Sequence, residues 1–406
     1  MKICYLHFDG APTLEAVDNR TGGLNITLFN LSKSISSVSD EEVTLIWRAD
    51  GKKNKYLKDL QMRGIRLVKI RAGQRKQLSR EELEQVLPEF IDKVNSYLKN
   101  ENFDIVQTAG SEAGFAMSLV KKRTKCDSSV WIHKNFATLS VRRVVVGSVP
   151  KEIAINDTIT RREKDILERC DHVIASTFTD KKEVKDVFDI KENKISVVSP
   201  GVDHSIFKPP TLEIGRSPIV VTAGRMAKIK DYPFLLMAFK KVVEDNRKMK
   251  SLALLIIGGN KSERDILGLE ETVKDLKLNG FVHFKDGVPN QLLANYFRMG
   301  KVVVGSSKHE TFGRVPVEAR ACGTPFVVRD NSSYRDTAND GEGGYFTENN
   351  NEDDMADKIT RILRLPFKEW QKLSLSAIKS TKKFSWKKSA IDHLALYKIL
   401  LKNSRG

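Results

Sequence analysis

Apolar residues follow two alternating patterns along most of the chain. In one pattern they recur every three or four positions, as at Leu24, Leu28, Leu31 and Ile35, which predicts an amphipathic helix. In the other they form short β-rich runs, found in the first half at residues 2–8, 43–47, 66–70, 104–108, 130–133, 172–176 and 195–198. Runs of strand length separated by helical periods are typical of βαβ units, so we expect an α/β fold with parallel sheets.

A turn-rich stretch without periodicity separates this series from a second one. The stretch runs from Ser199 to Gly215 and is rich in proline and glycine, which is typical of a linker. Beyond it, strand-like runs occur at residues 219–222, 252–257, 281–284, 302–305 and 326–329, with helical periods between them. We interpret the chain as two α/β domains, residues 1–200 and 201–384, followed by a C-terminal helical segment, residues 385–406.

The composition is that of a globular protein with a strong positive charge. Of the 406 residues, 40% are hydrophobic and 30% are charged, and 69 Lys and Arg against 52 Asp and Glu give a net charge of +17. This argues against a disordered or collagen-like chain. The excess of positive charge favours a polyanionic partner, such as a phosphorylated substrate, a nucleic acid or an acidic lipid surface.

Cysteine spacing and hydrophobic run length indicate the compartment. Cys4, Cys126, Cys170 and Cys322 are widely scattered, which is neither a disulfide framework nor a zinc spacing. The first apolar run is too short for a signal peptide, and the longest clean runs are far below the ~20 residues that span a bilayer. We therefore expect a cytoplasmic protein, with peripheral contact to the inner face of the membrane as an open alternative.

The segment of residues 306–325 contains the most chemical information. Pro316 suits the first turn of a helix, Gly323 suits the position just beyond its end, and Pro325 prevents the helix from continuing. The sequence therefore predicts a strand end, a loop and a short helix, with Glu318 in the first helical turn.

Two glutamates and a glycine in this segment point to a ligand site. Glu310 lies in the loop before the helix, and Gly313 allows the backbone to approach an anion at the helix N-terminus. On one continuous helix the two glutamates would lie ~12 Å apart, farther than the about 5–9.5 Å of glycosidase acid/base pairs. A loop followed by a helix permits other distances, but nothing in the segment favours hydrolysis. The simpler alternative is that Glu318 only complements the helix dipole.

This segment resembles the E-x7-E region of retaining glycosyltransferases of family 4, which have the GT-B fold. The matching positions are Glu310, Phe312, Gly313, Glu318, Ala319 and residues 321–325. The resemblance implies that Glu310 contacts hydroxyls of the donor sugar and that Glu318 holds the nucleotide ribose. It also implies that the backbone of Phe312 and Gly313 meets the phosphates, with Thr311 and Arg314 beside them. Many members have an aliphatic residue where this chain has Arg314, so its role is open.

A second match follows the first strand of the second domain. Residues 224–230 resemble the family's G-R-x4-K loop, in which Arg225 and Lys230 would neutralise the donor diphosphate. Two cations beyond the carboxyl end of a strand lie where α/β sheets bind ligands. The usual glycine after the lysine is Asp231 here. The alternative is that both cations are solvated surface residues.

Further matches extend the resemblance over the whole chain. Residues 200–203 resemble the family's P-G-V-D hinge, and residues 171–176 resemble its A-D-x-V-I-A-x-S strand. Residues 384–386 resemble the start of the closing helix, which in this fold crosses back to the first domain. The resemblance implies two Rossmann-like domains facing a central cleft, with the acceptor bound by the first and the nucleotide-sugar by the second.

The first domain, which would bind the acceptor, contains two groups of candidate residues. Gly22 and Gly23 resemble the family's glycine loop near the diphosphate, and His133, at a strand end, matches the histidine that reaches the donor sugar. The alternatives are an ordinary turn and a packed or surface histidine. We find no D-x-D motif and no metal-ligand spacing among the histidines, so we expect neither a metal nor another cofactor.

Positive charge is concentrated in two stretches. Residues 52–80 contain eleven Lys or Arg, and residues 379–406 contain eight. Both stretches are explained if they form a solvated surface. The more specific alternatives are that they bind an anionic membrane or a phosphorylated acceptor. We find no nucleic-acid-binding motif and expect no nucleic acid partner.

The resemblance therefore implies a retaining glycosyltransferase that moves a hexose-type sugar from a nucleotide diphosphate donor, with a UDP-sugar favoured. The acceptor would be a hydroxyl of a small molecule, a saccharide or a lipid-linked molecule. His133, Arg225, Lys230 and Glu310 are the predicted catalytic residues. A nucleotide-sugar epimerase of the same fold and a non-catalytic basic membrane-binding module are the alternatives.

Overall fold

The protein consists of two compact units. The computed structural model describes residues 1–8, 11, 23–51, 56–74, 76, 78, 80–124, 129–134, 158–211, 216–330 and 333–405. The first unit holds the described residues before Val202 together with those from Trp386 onward, and the second holds residues 202–385. Each unit contains one parallel β-sheet with helices on both faces. This confirms the α/β fold class.

A parallel sheet of seven described strands forms the first unit. Its strands are β1 (Lys2–Leu6), β2 (Glu42–Arg48), β3 (Arg66–Ile70), β4 (Ile105–Ala109), β5 (Val130–Lys134), β6 (His172–Ala175) and β7 (Ile195–Val197). Its first six helices are α1 (Gly23–Val38), α2 (Leu57–Met62), α3 (Arg80–Lys99), α4 (Ser111–Thr124), α5 (Thr158–Arg169) and α6 (Phe178–Phe188). The spatial order of the strands is β3-β2-β1-β4-β5-β6-β7, so the chain reverses direction across the sheet between β1 and β4.

The core of the first unit lies on both faces of this sheet. Along β1, Cys4 and Leu6 pack with α3 to α6, whereas Ile3 and Tyr5 pack with α1 and α2. Alternate residues of a strand point to opposite faces. A strand covered on both faces is therefore apolar throughout, which explains the uninterrupted apolar run at the N-terminus.

A second parallel sheet, of six described strands, forms the second unit. Its strands are β8 (Ser217–Ala223), β9 (Ala253–Ile257), β10 (Val282–Lys285), β11 (Gly300–Gly305), β12 (Phe326–Arg329) and β13 (Gly344–Thr347). Its helices are α7 (Tyr232–Asp245), α8 (Lys261–Ile266), α9 (Leu269–Asp275), α10 (Asn290–Met299), α11 (Arg314–Ala321), α12 (Tyr334–Thr337), α13 (Glu352–Arg364) and α14 (Phe367–Thr381). The order β10-β9-β8-β11-β12-β13 reverses between β8 and β11.

The C-terminal helix, α15 (Trp386–Arg405), packs against α1 in the first unit. The Tyr397 hydroxyl donates to Gln107 Oε1 on β4 at 2.6 Å and lies 3.0 Å from the Tyr5 hydroxyl. Trp386 and Leu401 are buried in the same core, so α15 completes one face of the first sheet. Among the described helices, none is long and apolar enough to cross a membrane.

Three buried histidines make the free energy of unfolding depend on pH. Burial lowers the pKa of His133 and of His172 to about 4, and that of His393 to about 3, from 6.5. The unfolded chain therefore binds more protons as the pH falls from 6.5, so this stability is complete above pH 6.5 and is lost towards pH 4. We expect each histidine to account for a loss on the order of 1–2 kcal/mol between pH 7.5 and pH 5.

Urea unfolding of the wild type and two variants at these two pH values checks this prediction. His393→Gln should reduce the loss of stability on acidification, because the buried imidazole is removed. His283→Gln should leave the loss unchanged, because His283 is exposed on β10. A His393→Gln variant with the wild-type pH dependence would contradict the assignment.

Candidate active site

The ends of β8 and β11 bring predicted site residues of the second unit together. These two strands are neighbours at the point where the strand order reverses. Open α/β sheets bind ligands in the crevice at this reversal, beyond the carboxyl ends of the strands. The loop after β8 contains Arg225 and Lys230, and the loop after β11 contains Glu310. The fold therefore places the two predicted loops side by side.

An ion pair joins the two loops. Lys230 Nζ donates to Glu310 Oε1, and the side chains of both residues are about one-fifth exposed, at 20% and 19%. Ser307 Oγ donates to the same carboxylate oxygen at 2.9 Å. Two further bonds fix the loops to each other, from Ser306 Oγ to Lys230 O at 2.7 Å and from Lys308 N to Ile229 O at 2.8 Å. The predicted cation and the predicted sugar-binding carboxylate thus hold each other in position.

Two buried tyrosines lie near the Glu310 carboxylate. Burial raises the pKa of Tyr232 and that of Tyr334, and the negative charge of Glu310 raises both further. The Tyr232 hydroxyl donates to the carbonyl oxygen of Arg225 at 3.4 Å. Both phenols remain neutral, so Glu310 lies among hydroxyl groups and one lysine.

Arg225 is exposed at the start of the loop after β8. Its positive charge lies close enough to Tyr232 to oppose the rise in the pKa of that phenol. The structure therefore places both predicted cations, Arg225 and Lys230, beyond the end of β8, with Arg225 facing solvent and Lys230 paired to Glu310.

The helix α11 has Pro316 in its first turn, as the sequence predicts, but Glu318 lies beyond that turn. Gly313 is its N-cap residue, with φ 72° and ψ 57°, and Arg314 is its first residue. The prediction that Glu318 lies in the first helical turn is therefore wrong, because Glu318 is the fifth residue and lies in the second turn. The predicted end is confirmed, since the helix stops at Ala321 and Gly323 adopts φ 76°.

Gly313 is required for space as well as for its backbone conformation. A Cβ atom at this position would lie 2.5 Å from Tyr334 Cε1. Phe312 beside it is buried edge-on against Phe384, with ring centroids 5.3 Å apart. The Phe312 side chain therefore anchors the loop in the core, and Thr311 before it is partly exposed.

Arg314 pairs with Glu318 on the same helix. Arg314 donates from Nε and Nη2 to Glu318 Oε1 at 3.1 and 2.7 Å. Burial raises the pKa of Glu318, and the charge and hydrogen bonds of Arg314 oppose that rise. The open question about Arg314 thus has a structural answer, because this guanidinium compensates a buried carboxylate.

His133 belongs to the first unit, at the end of β5, and is 4% exposed. Its Nδ1 lies 3.0 Å from Thr108 Oγ1, which also accepts a 2.9 Å hydrogen bond from the Trp131 indole. Burial lowers the pKa of His133 to about 4, so the imidazole is neutral at physiological pH. It can donate or accept one hydrogen bond at each nitrogen, and it cannot supply positive charge.

The other predicted residues of the first unit are the glycines after β1. Gly23 is exposed and is the first residue of α1. Gly22 lies outside the described residues, so the predicted glycine loop is described only at its second position. Within the described part of the chain, no group of three or more His, Cys, Asp or Glu could hold a metal ion.

Sequence reasoning did not single out four residues that shape the site. Ser307 and Tyr334 flank Glu310, and serine and tyrosine are too common for either to be noticed alone. Arg329 ends an apolar strand, and Gly258 directly follows one. Two sequence signals were available. One is a charged residue at the end of an apolar run, as at Arg329, and the other is a glycine directly after an apolar run, as at Gly258.

Gly258 determines how closely the ends of β8 and β9 approach. It adopts φ 131°, and a Cβ atom there would lie 2.0 Å from the backbone oxygen of Gly224. We expect Gly258→Ala to separate the two strand ends, displace Arg225 and lower the free energy of unfolding by about 2–5 kcal/mol. Urea unfolding measures the loss of stability.

Gly280→Ala is the matched control. Gly280 also has a positive φ, of 85°, but a Cβ atom there would meet nothing within 4 Å. The free energy of unfolding of this variant should fall by only about 1–2 kcal/mol, the cost of placing alanine in a left-handed backbone conformation. Equal losses in the two variants would contradict the close approach at Gly258.

Two family models together match most of the chain. The model described as Glycosyltransferase Family 4 matches residues 21–206, and the model described as Glycosyl transferases group 1 matches residues 204–384. The second match includes both loops of the site in the second unit.

Curated relatives and solved structures agree with these matches. The chain is similar to a D-inositol 3-phosphate glycosyltransferase of Frankia alni, at 25% identity over 93% of this chain and 94% of that protein. It is 24% identical to the protein of the same name from Thermomonospora curvata, over 97% and 94%.

Among solved structures, sucrose-phosphate synthase of Thermosynechococcus elongatus matches with a TM-score of 0.82 at 22% identity, over 99% of this chain and 100% of that chain. Anabaena HepE in complex with UDP and glucose matches with a TM-score of 0.73 at 15% identity, over 98% and 100%. These likenesses confirm the GT-B fold. The chain belongs to the group 1 glycosyltransferases, and it is an enzyme that transfers sugar from a nucleotide-sugar donor.

Proposed function

We propose that this glycosyltransferase moves a hexose-type sugar, with retention of anomeric configuration, from a UDP-sugar to a hydroxyl group. The acceptor is a small molecule, a saccharide or a lipid-linked molecule. The observation that supports the proposal best is the Lys230–Glu310 pair at the reversal point of the second sheet. In this proposal Lys230 binds the diphosphate and Glu310 binds sugar hydroxyls, and the ion pair between them supports two such neighbouring roles.

The chemistry requires positive charge at the leaving group. When the bond between the sugar C1 and the diphosphate oxygen breaks, negative charge develops on the diphosphate. Arg225 and Lys230, which both follow the end of β8, would stabilise that charge. The acceptor oxygen forms the new bond to C1 on the same face, and its proton passes to the departing diphosphate oxygen. This front-side route needs no carboxylate nucleophile, and Glu310 orients the sugar instead.

The donor nucleotide and the acceptor class are drawn from related proteins and from charge. HepE, a structural neighbour, was solved with UDP and glucose, which favours a UDP-sugar. The curated relatives are named for D-inositol 3-phosphate, a phosphorylated polyol. A chain with a net charge of +17 suits an anionic acceptor, so phosphorylated polyols are the first acceptors to test.

Cys4, Cys170 and Cys322 are buried free thiols, which supports a cytoplasmic location for the enzyme.

A donor and acceptor screen tests the proposal directly. UDP-, GDP- and ADP-sugars are first compared by thermal stabilisation, and the stabilising donor is then incubated with phosphorylated polyols. The coupling constant of the anomeric proton in the product reports retention or inversion. A donor that is epimerised without any acceptor would instead make the protein an epimerase.

The first prediction from this proposal concerns Arg225. If this cation acts mainly on the charge that develops on the leaving group, Arg225→Ala should lower turnover by at least ~100-fold. Steady-state kinetics with the identified donor measures the effect. Lys228→Ala is the matched control, because Lys228 is an exposed cation of the same loop that the proposal does not use.

Chelation tests whether the positive charge at the leaving group comes from side chains or from a bound metal ion. We propose that the enzyme needs no metal, because Arg225 and Lys230 supply the positive charge that a divalent cation would provide. Activity in saturating EDTA should therefore stay close to that of the untreated enzyme. Near-normal turnover of Arg225→Ala, or activity that requires added magnesium or manganese, would overturn the leaving-group assignment.

The third prediction separates the two glutamates. Glu318 would hold the ribose in the ground state and in the transition state alike, so Glu318→Gln should weaken the binding of bare UDP by about 10-fold or more. Glu310 would face the transferred sugar, so Glu310→Gln should lower turnover and leave the affinity for bare UDP nearly unchanged. Calorimetry with UDP and steady-state kinetics of both variants provide the measurements. The opposite pattern of UDP affinities would mean that the two roles are reversed.

A further inference from the structure

Asp231 has an unusual conformation for an aspartate at the start of a helix. It is the N-cap residue of α7, but it adopts the left-handed conformation, with φ 49° and ψ 49°. An aspartate at this position normally has an extended backbone, and its carboxylate accepts a hydrogen bond from the first turn. The Asp231 side chain makes no such bond. Another interaction must therefore account for an acidic residue in a conformation that favours glycine.

That interaction is an ion pair with Arg329. Asp231 Oδ2 lies 2.8 Å from Arg329 Nη2 and 3.7 Å from Lys308 Nζ. The Arg329 side chain is 1% exposed, whereas that of Lys308 is 44% exposed. Arg329 is therefore the buried partner, and Asp231 is the carboxylate in direct contact with it.

Arg329 is itself fixed in one place. Its guanidinium carbon lies 3.6 Å from the centroid of the Phe234 ring. Its Nε and Nη1 are buried without a hydrogen-bond partner in the described part of the chain. Burial lowers the pKa of Arg329, and the charge and hydrogen bond of Asp231 oppose this. A guanidinium with so few partners depends strongly on the one carboxylate that it contacts.

The pair connects strands that also define the site. Arg329 is the last residue of β12, which lies beside β11, and β11 lies beside β8. Asp231 directly follows Lys230, which ends a short 3₁₀ turn, Lys228–Lys230. The Asp231–Arg329 pair therefore ties the loop after β8 to a strand end on the far side of β11.

We propose that Asp231 and Arg329 form a positioning pair that holds Lys230 against Glu310. The pair fixes the backbone of residue 231 in the left-handed conformation, and so fixes the direction in which the Lys230 side chain leaves the loop. The role of Lys230 in diphosphate binding rests on the proposed function. The positioning of the Lys230 backbone is independent of it.

The test compares Arg329→Met, Asp231→Gly and the double variant Asp231→Gly/Arg329→Met. Arg335→Met is the matched control, because Arg335 forms an exposed ion pair with Asp330 just beyond the same strand. Hydrogen exchange of the Lys230 and Asp231 amides reports the loop without any ligand. These amides donate to Ala227 O at 2.9 Å and to Lys228 O at 3.2 Å. Calorimetry with UDP and urea unfolding complete the set.

Arg329→Met should accelerate exchange of both amides by about 10-fold or more, whereas Arg335→Met should not. It should also weaken UDP binding by about 10-fold, because Asp231 then lacks its partner next to Lys230. The double variant should recover UDP affinity to within about 3-fold, since glycine adopts the left-handed conformation without strain and no buried charge remains. A residue that only stabilises the fold would show no such recovery.

Two outcomes separate this inference from the proposed function. If Arg329→Met and Arg335→Met have the same exchange rates and UDP affinities, the pair does not position Lys230 and the inference is overturned. If exchange at Lys230 changes as expected but the wild type binds no nucleoside diphosphate, the positioning pair stands and the proposed function fails. Should Arg329→Met not fold, Asp231→Asn removes the same ion pair while keeping a residue that tolerates φ 49°, and it should accelerate exchange at the Lys230 amide.

Discussion

The ion pair between Lys230 and Glu310 joins the two loops on which the site of the second unit depends. Both side chains are only about one-fifth exposed, so each would be costly to keep ionised alone. Together with the hydrogen bond from Ser307 they form a small network that holds its geometry before any ligand arrives. Preorganised charge of this kind is worth more to catalysis than charge that must be brought into place.

The fold follows from the sequence because both sheets are parallel and covered on both faces. Such strands are apolar throughout, so the runs at residues 252–257 and 302–305 are visible without alignment. β13 was not predicted, because Gly344–Thr347 is short and follows two glycines closely. The order in which the strands pair was not predictable from the hydrophobic pattern. Apolar runs indicate where strands occur, but they do not indicate which strands are neighbours.

The site could be predicted only as far as local motifs extend. The loops with Lys230 and Glu310 were found by their motifs, and the topology places them side by side. Their roles in sugar transfer remain predictions. Glu318 was misplaced by one turn, because a proline suits several positions of a first turn and Pro316 therefore does not fix the start of α11, which follows the left-handed N-cap residue Gly313. Contacts between distant residues, such as Asp231 with Arg329, leave no periodic trace in a single sequence.

Three carboxylates of the second unit each have a cationic partner: Glu310 with Lys230, Glu318 with Arg314, and Asp231 with Arg329. A nucleotide-sugar has phosphates and sugar hydroxyls close together. The phosphates are stabilised by positive charge, whereas the hydroxyls donate hydrogen bonds to acceptors such as carboxylates. Carboxylates beside a diphosphate would repel it unless their charge is compensated. Pairing lets the chain keep ionised acceptors next to cations. In the proposed function, Arg225 and Lys230 supply positive charge to the leaving group, and the pairs of Glu318 with Arg314 and of Asp231 with Arg329 hold the site in position.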